Sequence, residues 1–375
     1  MWVRRERAPL AKFNSWLGNS QPPNPKRSTA APSAPIPPPI QNSGEEDKDA
    51  DDLNARSAAA GQVLAKLQPV AVALDGLAAA ARRPAFQAST NRTVEGLFKY
   101  PTSELNQLVR IHFAFTVRSL ACLETGDSAK AGDDFLTGLE LLRLARQSPD
   151  MESQRRSQML LLRSLQPLWE GLIRHQWSDG QLTSFEAALA PVNMLADFTN
   201  AVQRTVRLHY EAFQLLPDNR LNWVSELNSR YEAQNAGRSW WLESAVRMHQ
   251  LGELTLTKVD AGAGRMNAQL DWSDISELPL AGKSAELFQL LLPYWNQPGP
   301  QSLAFCQTSL NQARAAIALE RHRLARGNYP ASLSEIVPAR LKTFPLDVEV
   351  SRPLRYTART YDRSEEHTSE LQSPY

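Results

Sequence analysis

The chain has little cysteine, no excess charge of either sign, and no long unbroken hydrophobic run. Two cysteines in 375 residues, Cys122 and Cys306, exclude a disulfide framework and a four-cysteine zinc site. Both sit in apolar stretches, where two buried thiols are expected ahead of a single bridge between them. Lys plus Arg number 41 against 40 for Asp plus Glu, so no overall field favours nucleic acid or an anionic membrane. The best apolar run, LQPVAVALDGLAAAA at 67–81, is interrupted by Gln68, Pro69, Asp75 and Gly76 and falls short of the roughly 20 residues of a membrane span. The opening MWVRRERAPL is basic but has no apolar core of a signal peptide. As written, the chain reads as soluble.

Motifs that carry chemistry are equally scarce. Gly262-Ala-Gly264-Arg-Met-Asn267 places Asn267 where a dinucleotide fingerprint needs its third glycine, which favours an ordinary loop. Gly282-Lys283-Ser284 has the end of a phosphate loop, but Glu277 stands at the first glycine position and the backbone nest cannot close. Gly126-Asp127-Ser128 is explained by turn chemistry between two helices rather than by a serine nucleophile. His112, His175, His209, His249 and His322 show none of the spacings that bring two histidines, or a histidine and a glutamate, onto one metal. Glu170 with His175 and Asp179 is the best acid–base constellation, set against a capping role for Arg174 and His175 at a helix C-terminus. No catalytic, cofactor-binding or metal-binding residue is assigned from the sequence. Trp169, Trp177, Trp240 and Trp241 read as core anchors, with Trp240-Trp241 the alternative partner surface.

What is present is proline at one end and helical spacing through the middle. Residues 20–44 carry Pro22, Pro23, Pro25, Pro32, Pro35, Pro37, Pro38 and Pro39, and the acidic EEDKDADD follows at 45–52. Such composition favours extended, solvated backbone, so 1–52 is expected to be disordered. From 53 to 251 apolar residues recur at helical spacing. Phe135, Leu139, Leu142 and Ala145 form one stripe; Met194, Phe198, Ala201, Val202 and Thr205 form another, continued by Val206, Tyr210 and Phe213. Ser178-Asp-Gly-Gln181 fits a capping box, Pro101-Thr-Ser-Glu104 fits a helix start, and Pro167 and Pro191 should kink or divide their helices. Over 252–300 the pattern loosens into an irregular connection. LTLTKV at 254–259 reads as a strand there, with AGAG after it as a turn.

Two stretches carry resemblances. Phe115, Gly126, Ala131, Phe135 and Gly138 have the spacing of one tetratricopeptide unit, which implies antiparallel helix pairs. Leu310, Ala313, Ile317 and Leu324 line one face of a long helix that runs into ALERHRLARGNYPASLSEIVPARLKTFPLD at 318–347, where Gly327 stops it. Tyr329-Pro330 then reverses the chain, a short helix runs from Ala331 or Ser332 to Val337-Pro338, and PLRYTA at 353–358 reads as a strand. This order resembles the soluble part of the major pseudopilins of type II secretion, although Asp347-Val348-Glu349 and Ser351 depart from that family's calcium loop. More broadly, LQPLWEGLIRHQWSDGQL (165–182), SWWLESAVRMHQL (239–251) and ALERHRLARGNYPASL resemble a group of bacterial envelope proteins to which no activity is assigned. That resemblance implies a membrane anchor of about 20 apolar residues upstream of Leu53, followed by helices and a pseudopilin-like end.

The expected architecture is therefore mainly α. An antiparallel helical array with TPR-like pairs spans 53–251, and a long helix plus a truncated α+β pseudopilin-like unit occupies 301–362. Arg363–Ser373 back-translates into the string of a widely used short-read sequencing adapter, so 363–375 is expected to be an artefact that packs against nothing. The expected function is that of a non-enzymatic, envelope-associated protein that binds other proteins, with no nucleic acid and no cofactor. The alternative is an enzyme with a site around Glu170 and His175.

Overall fold

The computed structural model describes residues 45–83, 102–147, 150–215, 238–266, 300–348, 350–360 and 367–372. This region is mainly helical, 75% helix against 6% strand. Its helices are α1 (Glu45–Leu67), α2 (Ala71–Ala81), α3 (Thr102–Glu124), α4 (Ser128–Arg146), α5 (Met151–Ile173), α6 (Asp179–Leu189), α7 (Met194–Leu215), α8 (Arg238–Thr257) and α9 (Pro300–Arg326). Six short strands pair as β1 (Val259–Asp260) with β2 (Arg265–Met266), β3 (Leu346–Asp347) with β4 (Arg352–Pro353), and β5 (Arg355–Thr360) with β6 (His367–Gln372), all antiparallel. The chain divides into a unit Met1–Asn54, described only where α1 begins, and a unit Ala55–Tyr375.

In the second unit, α3 and α4 form an antiparallel pair. Gly126 takes φ +82°, the left-handed conformation that glycine adopts without a Cβ penalty. The Asp127 N–H reaches back to the Cys122 carbonyl at 2.8 Å and the Gly126 N–H to that of Leu123 at 3.2 Å. Asp127 then caps α4 by accepting from the Lys130 N–H. Contacts across the pair run in opposite directions along the chain. The Ser119 hydroxyl donates to the Ala131 carbonyl at 2.8 Å, and Arg118 grips Asp134 with two bonds of 2.7 Å. Burial pushes the Asp134 carboxyl up in pKa, and the Arg118 fork opposes that by favouring the charged form.

The buried stripes fall where the spacing places them. Phe135, Leu139, Leu142 and Ala145 are all buried, as are Met194, Phe198, Ala201, Val202 and Thr205, whereas Tyr210 is exposed. Phe135 and Trp177 both meet the Phe185 ring edge-on, with centroids 4.5 and 5.0 Å away. Trp177 packs onto Gly171 so closely that a Cβ there would lie 2.2 Å from its indole. Its N–H donates to the Leu168 carbonyl. Trp169 is half-buried against the same core. The side chains of Trp240 and Trp241 lie outside the described residues. Both cysteines are free and buried, and burial pushes the Cys122 thiol up to about 11.

Several expectations are corrected. The acidic run 45–52 is helical, as the start of α1; carboxylates suit the positive end of a helix dipole, and alanine-rich turns follow. LTLTKV is not a strand over most of its length: Leu254–Thr257 finish α8, and only Val259 enters β1. Leucine–threonine alternation is ambiguous in so short a run. Here the Thr255 and Thr257 hydroxyls bond back to the Leu251 and Leu254 carbonyls while Gly252 admits Val206 against α8. Helix α5 continues through Pro167, while Pro191 lies between α6 and α7.

Gly327 stops α9 at φ +80°, but the element after it is a 3-10 turn, Leu333–Glu335, rather than a short α-helix, and it is capped by Ser332. The tail does not lie apart: Arg355 pairs with Gln372 and Thr360 with His367. Backbone ladders need no particular side chains, so a polar extended segment can add to an open strand edge whatever its origin. Residues 1–44 and 267–299, including Gly282-Lys283-Ser284, lie outside the described residues.

Among the described residues one helical stretch, Asn54–Ala81, is long and apolar enough by length and composition to cross a membrane, with 6% of its apolar window buried. The sequence expectation of no such stretch is thereby corrected. Pro69 falls in a 3-10 turn that carries α1 into α2 instead of ending the helical run, and proline is tolerated at such a first turn.

Candidate functional site

Of the acid–base constellation proposed from sequence, no two members pair with each other. Glu170 accepts from Arg174 at 3.5 Å, and Arg174 donates more closely to Glu124 at 2.5 Å. Asp179 pairs with Arg321 at 2.8 Å, and Arg321 also grips Glu186. His175 turns instead to Glu320, 145 positions along the chain, with Nδ1 3.0 Å from Oε1.

Helix α5 delivers His175 through its own ending. The Gln176 N–H bonds to the Gly171 carbonyl and the His175 N–H to that of Leu172, which places His175 at φ +53°. A non-glycine residue there costs on the order of 1 kcal/mol. Gln176 Nε2 donates to the Leu123 carbonyl and ties the turn to the end of α3. The next residues open α6, where Ser178 and Gln181 complete the expected capping box. The imidazole is thus aimed by backbone on both sides.

Glu320 is the centre of the cluster. Its side chain is 2% exposed, and four hydrogen bonds reach it: His175 Nδ1 at 3.0 Å, Arg323 Nε and Nη2 at 2.9 and 2.7 Å, and the Tyr329 hydroxyl at 2.7 Å. Burial pushes the carboxyl up, but the bonds from Arg323, Tyr329 and His175 outweigh it and hold Glu320 below the ordinary glutamate range. Such a buried charge is tolerated because it is paired and its lone pairs are filled. Tyr329 and Tyr356 pack with Ala318, Leu319, Leu333 and Ile336, and the Tyr356 hydroxyl donates to the Pro330 carbonyl. The cluster therefore joins the α5–α6 turn to the segment that follows α9.

The sequence held one trace of this residue. Glu320 lies seven positions after Ala313 and three after Ile317, on the register of the apolar stripe of α9, where a carboxylate needs a partner. Leu324, the next member read into that stripe, is exposed instead. Nothing local could name His175 as the partner.

His112, the most buried of the described histidines, belongs to a separate polar contact. Nε2 lies 2.7 Å from Ser164 Oγ and Nδ1 3.4 Å from Thr116 Oγ1. Burial, assisted by Arg163, lowers its pKa to about 3. Among the described residues no group of three or more His, Cys, Asp or Glu could hold a metal. Gly262 and Gly264 sit in the β1–β2 turn. Compared with known proteins, the chain matches no family model, no curated protein and no solved structure.

Proposed function

We propose that this is a non-enzymatic, membrane-associated helical protein of the bacterial envelope that acts by binding other proteins. In this reading α3 and α4 are a TPR-like pair, and the segment from α9 to β5 is a pseudopilin-like unit. The observation that carries the proposal is the closure of the Glu320 cluster: four donor contacts are spent on internal contacts that fix one part of the fold to another. A group used in this way is a joint. Surface for partners is available elsewhere, where Leu242 and Val246 are exposed one turn apart on α8. Photo-crosslinking amino acids placed at these two positions, in the organism, should give a recurrent protein adduct. A protein that yields no adduct at either position contradicts the proposal.

One observation favours the enzymatic alternative. The His175 Nδ1 is engaged by the buried carboxylate of Glu320 and its side chain is 40% exposed, the pairing of a carboxylate-held, accessible imidazole that general acid–base chemistry uses. A turnover abolished by His175→Ala in a folded protein would establish that alternative.

A further inference from the structure

Among the described residues, helix α2 is docked by one face only. Leu74 and Ala81 are buried against Phe115, Leu141 and Leu144, and Asp75 turns to Arg118 at 3.2 Å and Lys130 at 3.0 Å. The hydrogen bond from Lys130 leads the effects that hold Asp75 below the usual carboxylate range. Arg143 closes the end of the helix by donating to the Ala81 and Arg83 carbonyls at 3.2 Å. At about 100° per residue, the side opposite these contacts is formed by Val72, Ala73, Gly76, Ala79 and Ala80, all exposed. Val72 is 87% exposed, and Leu77 flanks the face at 37%.

No charged residue lies on that outer side. Asp75 is the only charge between Ala71 and Ala81, and its partners lie on the α3–α4 side. Cations instead bracket the face, with Lys66 before it and Arg82 and Arg83 after it, all exposed. Water gives such a surface no reason to stay uncovered. An apolar strip with basic ends matches the boundary of an anionic bilayer, where side chains enter the acyl region and cations meet headgroups.

We infer that the outer face of α2 lies flat on an anionic phospholipid surface while its inner face remains docked on α3 and α4. This rests on the membrane-associated reading above and specifies it: the contact is peripheral and made by residues 70–83. Docking and spanning exclude each other. A span would take Asp75 away from Arg118 and Lys130 and place an unpaired carboxylate in hydrocarbon.

The test uses the full chain in flotation with vesicles. Wild type should float with vesicles of equal parts phosphatidylglycerol and phosphatidylcholine, and be released by alkaline carbonate. Val72→Asp with Ala73→Asp should weaken binding roughly tenfold or more without moving the melting temperature, since both side chains are exposed. Arg82→Glu with Arg83→Glu should weaken binding to the mixed vesicles. Equal binding by the Val72/Ala73 variant overturns the assignment of this face but leaves membrane association standing. Failure of wild type to float overturns both. Resistance to carbonate overturns the flat, docked geometry, and equal binding to pure phosphatidylcholine overturns the role of the cations.

Discussion

Acidification should destabilise this protein through His112 before its carboxylates respond. The ring is fully buried. The Thr116 hydroxyl donates to the His112 carbonyl, which leaves its oxygen to accept from Nδ1–H and leaves Nε2 to accept from Ser164. This neutral tautomer satisfies both nitrogens, and Arg163 adds repulsion against a charged one. The folded value is depressed to about 3 from an ordinary 6.5. The unfolded chain therefore takes up a proton that the native state refuses, and stability falls as pH drops from about 6.5 toward about 3. Between about pH 7 and about pH 5 the loss from this single group is about 2 kcal/mol. Glu320 contributes in the same direction, but only below the ordinary glutamate value of 4.5: its stabilisation is present above that value and lost as pH falls through its lower folded value. Urea denaturation of wild type and His112→Gln at the two pH values isolates the histidine. Wild type should lose about 2 kcal/mol more than the variant. Identical pH slopes would refute the assignment of His112 as a buried neutral group.

Other perturbations follow from individual contacts. His175→Gly relieves the left-handed backbone but loses the bond to Glu320, whereas His175→Ala loses the bond and keeps the strain. Thermal denaturation should place the alanine variant below the glycine variant by about 1 kcal/mol; the reverse order would deny that the backbone there is strained. Gly171→Ala puts a methyl into the Trp177 indole and should cost about 1–3 kcal/mol by denaturant titration, with tryptophan emission shifted to the red. Unchanged stability and emission would contradict the close packing. Tyr329→Ala should cost about 2–4 kcal/mol locally, measured as faster amide exchange around Leu333 and Ile336, and no change there would contradict its packing.

Features set by neighbouring residues were legible in the sequence, and those set across space were not. The Ser178–Gln181 box, the Gly126 and Gly327 helix ends and the Phe135 stripe each depend on a few consecutive positions, and the structure places all of them as read. LTLTKV failed because a Leu–Thr alternation serves a strand or the last turns of a helix equally, and the packing of α7 against α8 decides between them. EEDKDADD departs from the solvated, extended backbone its composition suggests because it begins a helix whose dipole favours acidic residues at that end. Pro69 does not end the helical run, because a 3-10 turn carries the chain past it. The candidate site was half visible. His175 is legible as a candidate, but its partner is the distant Glu320, while Glu170 and Asp179, its neighbours in sequence, are each held by an arginine.

The central claim is that Glu320 is a joint. Hydrogen exchange followed by mass spectrometry on Glu320→Gln tests it most directly. Losing the charge under Arg323, Tyr329 and His175 removes bonds worth about 1.5–3 kcal/mol each. Amides of Leu333–Glu335 and Arg355–Thr360 should therefore exchange at least about tenfold faster, while those of α3 and α4 keep their wild-type rates. Unchanged exchange in both regions, with a catalytic turnover lost in the same variant, would contradict the joint and make the cluster a reaction centre.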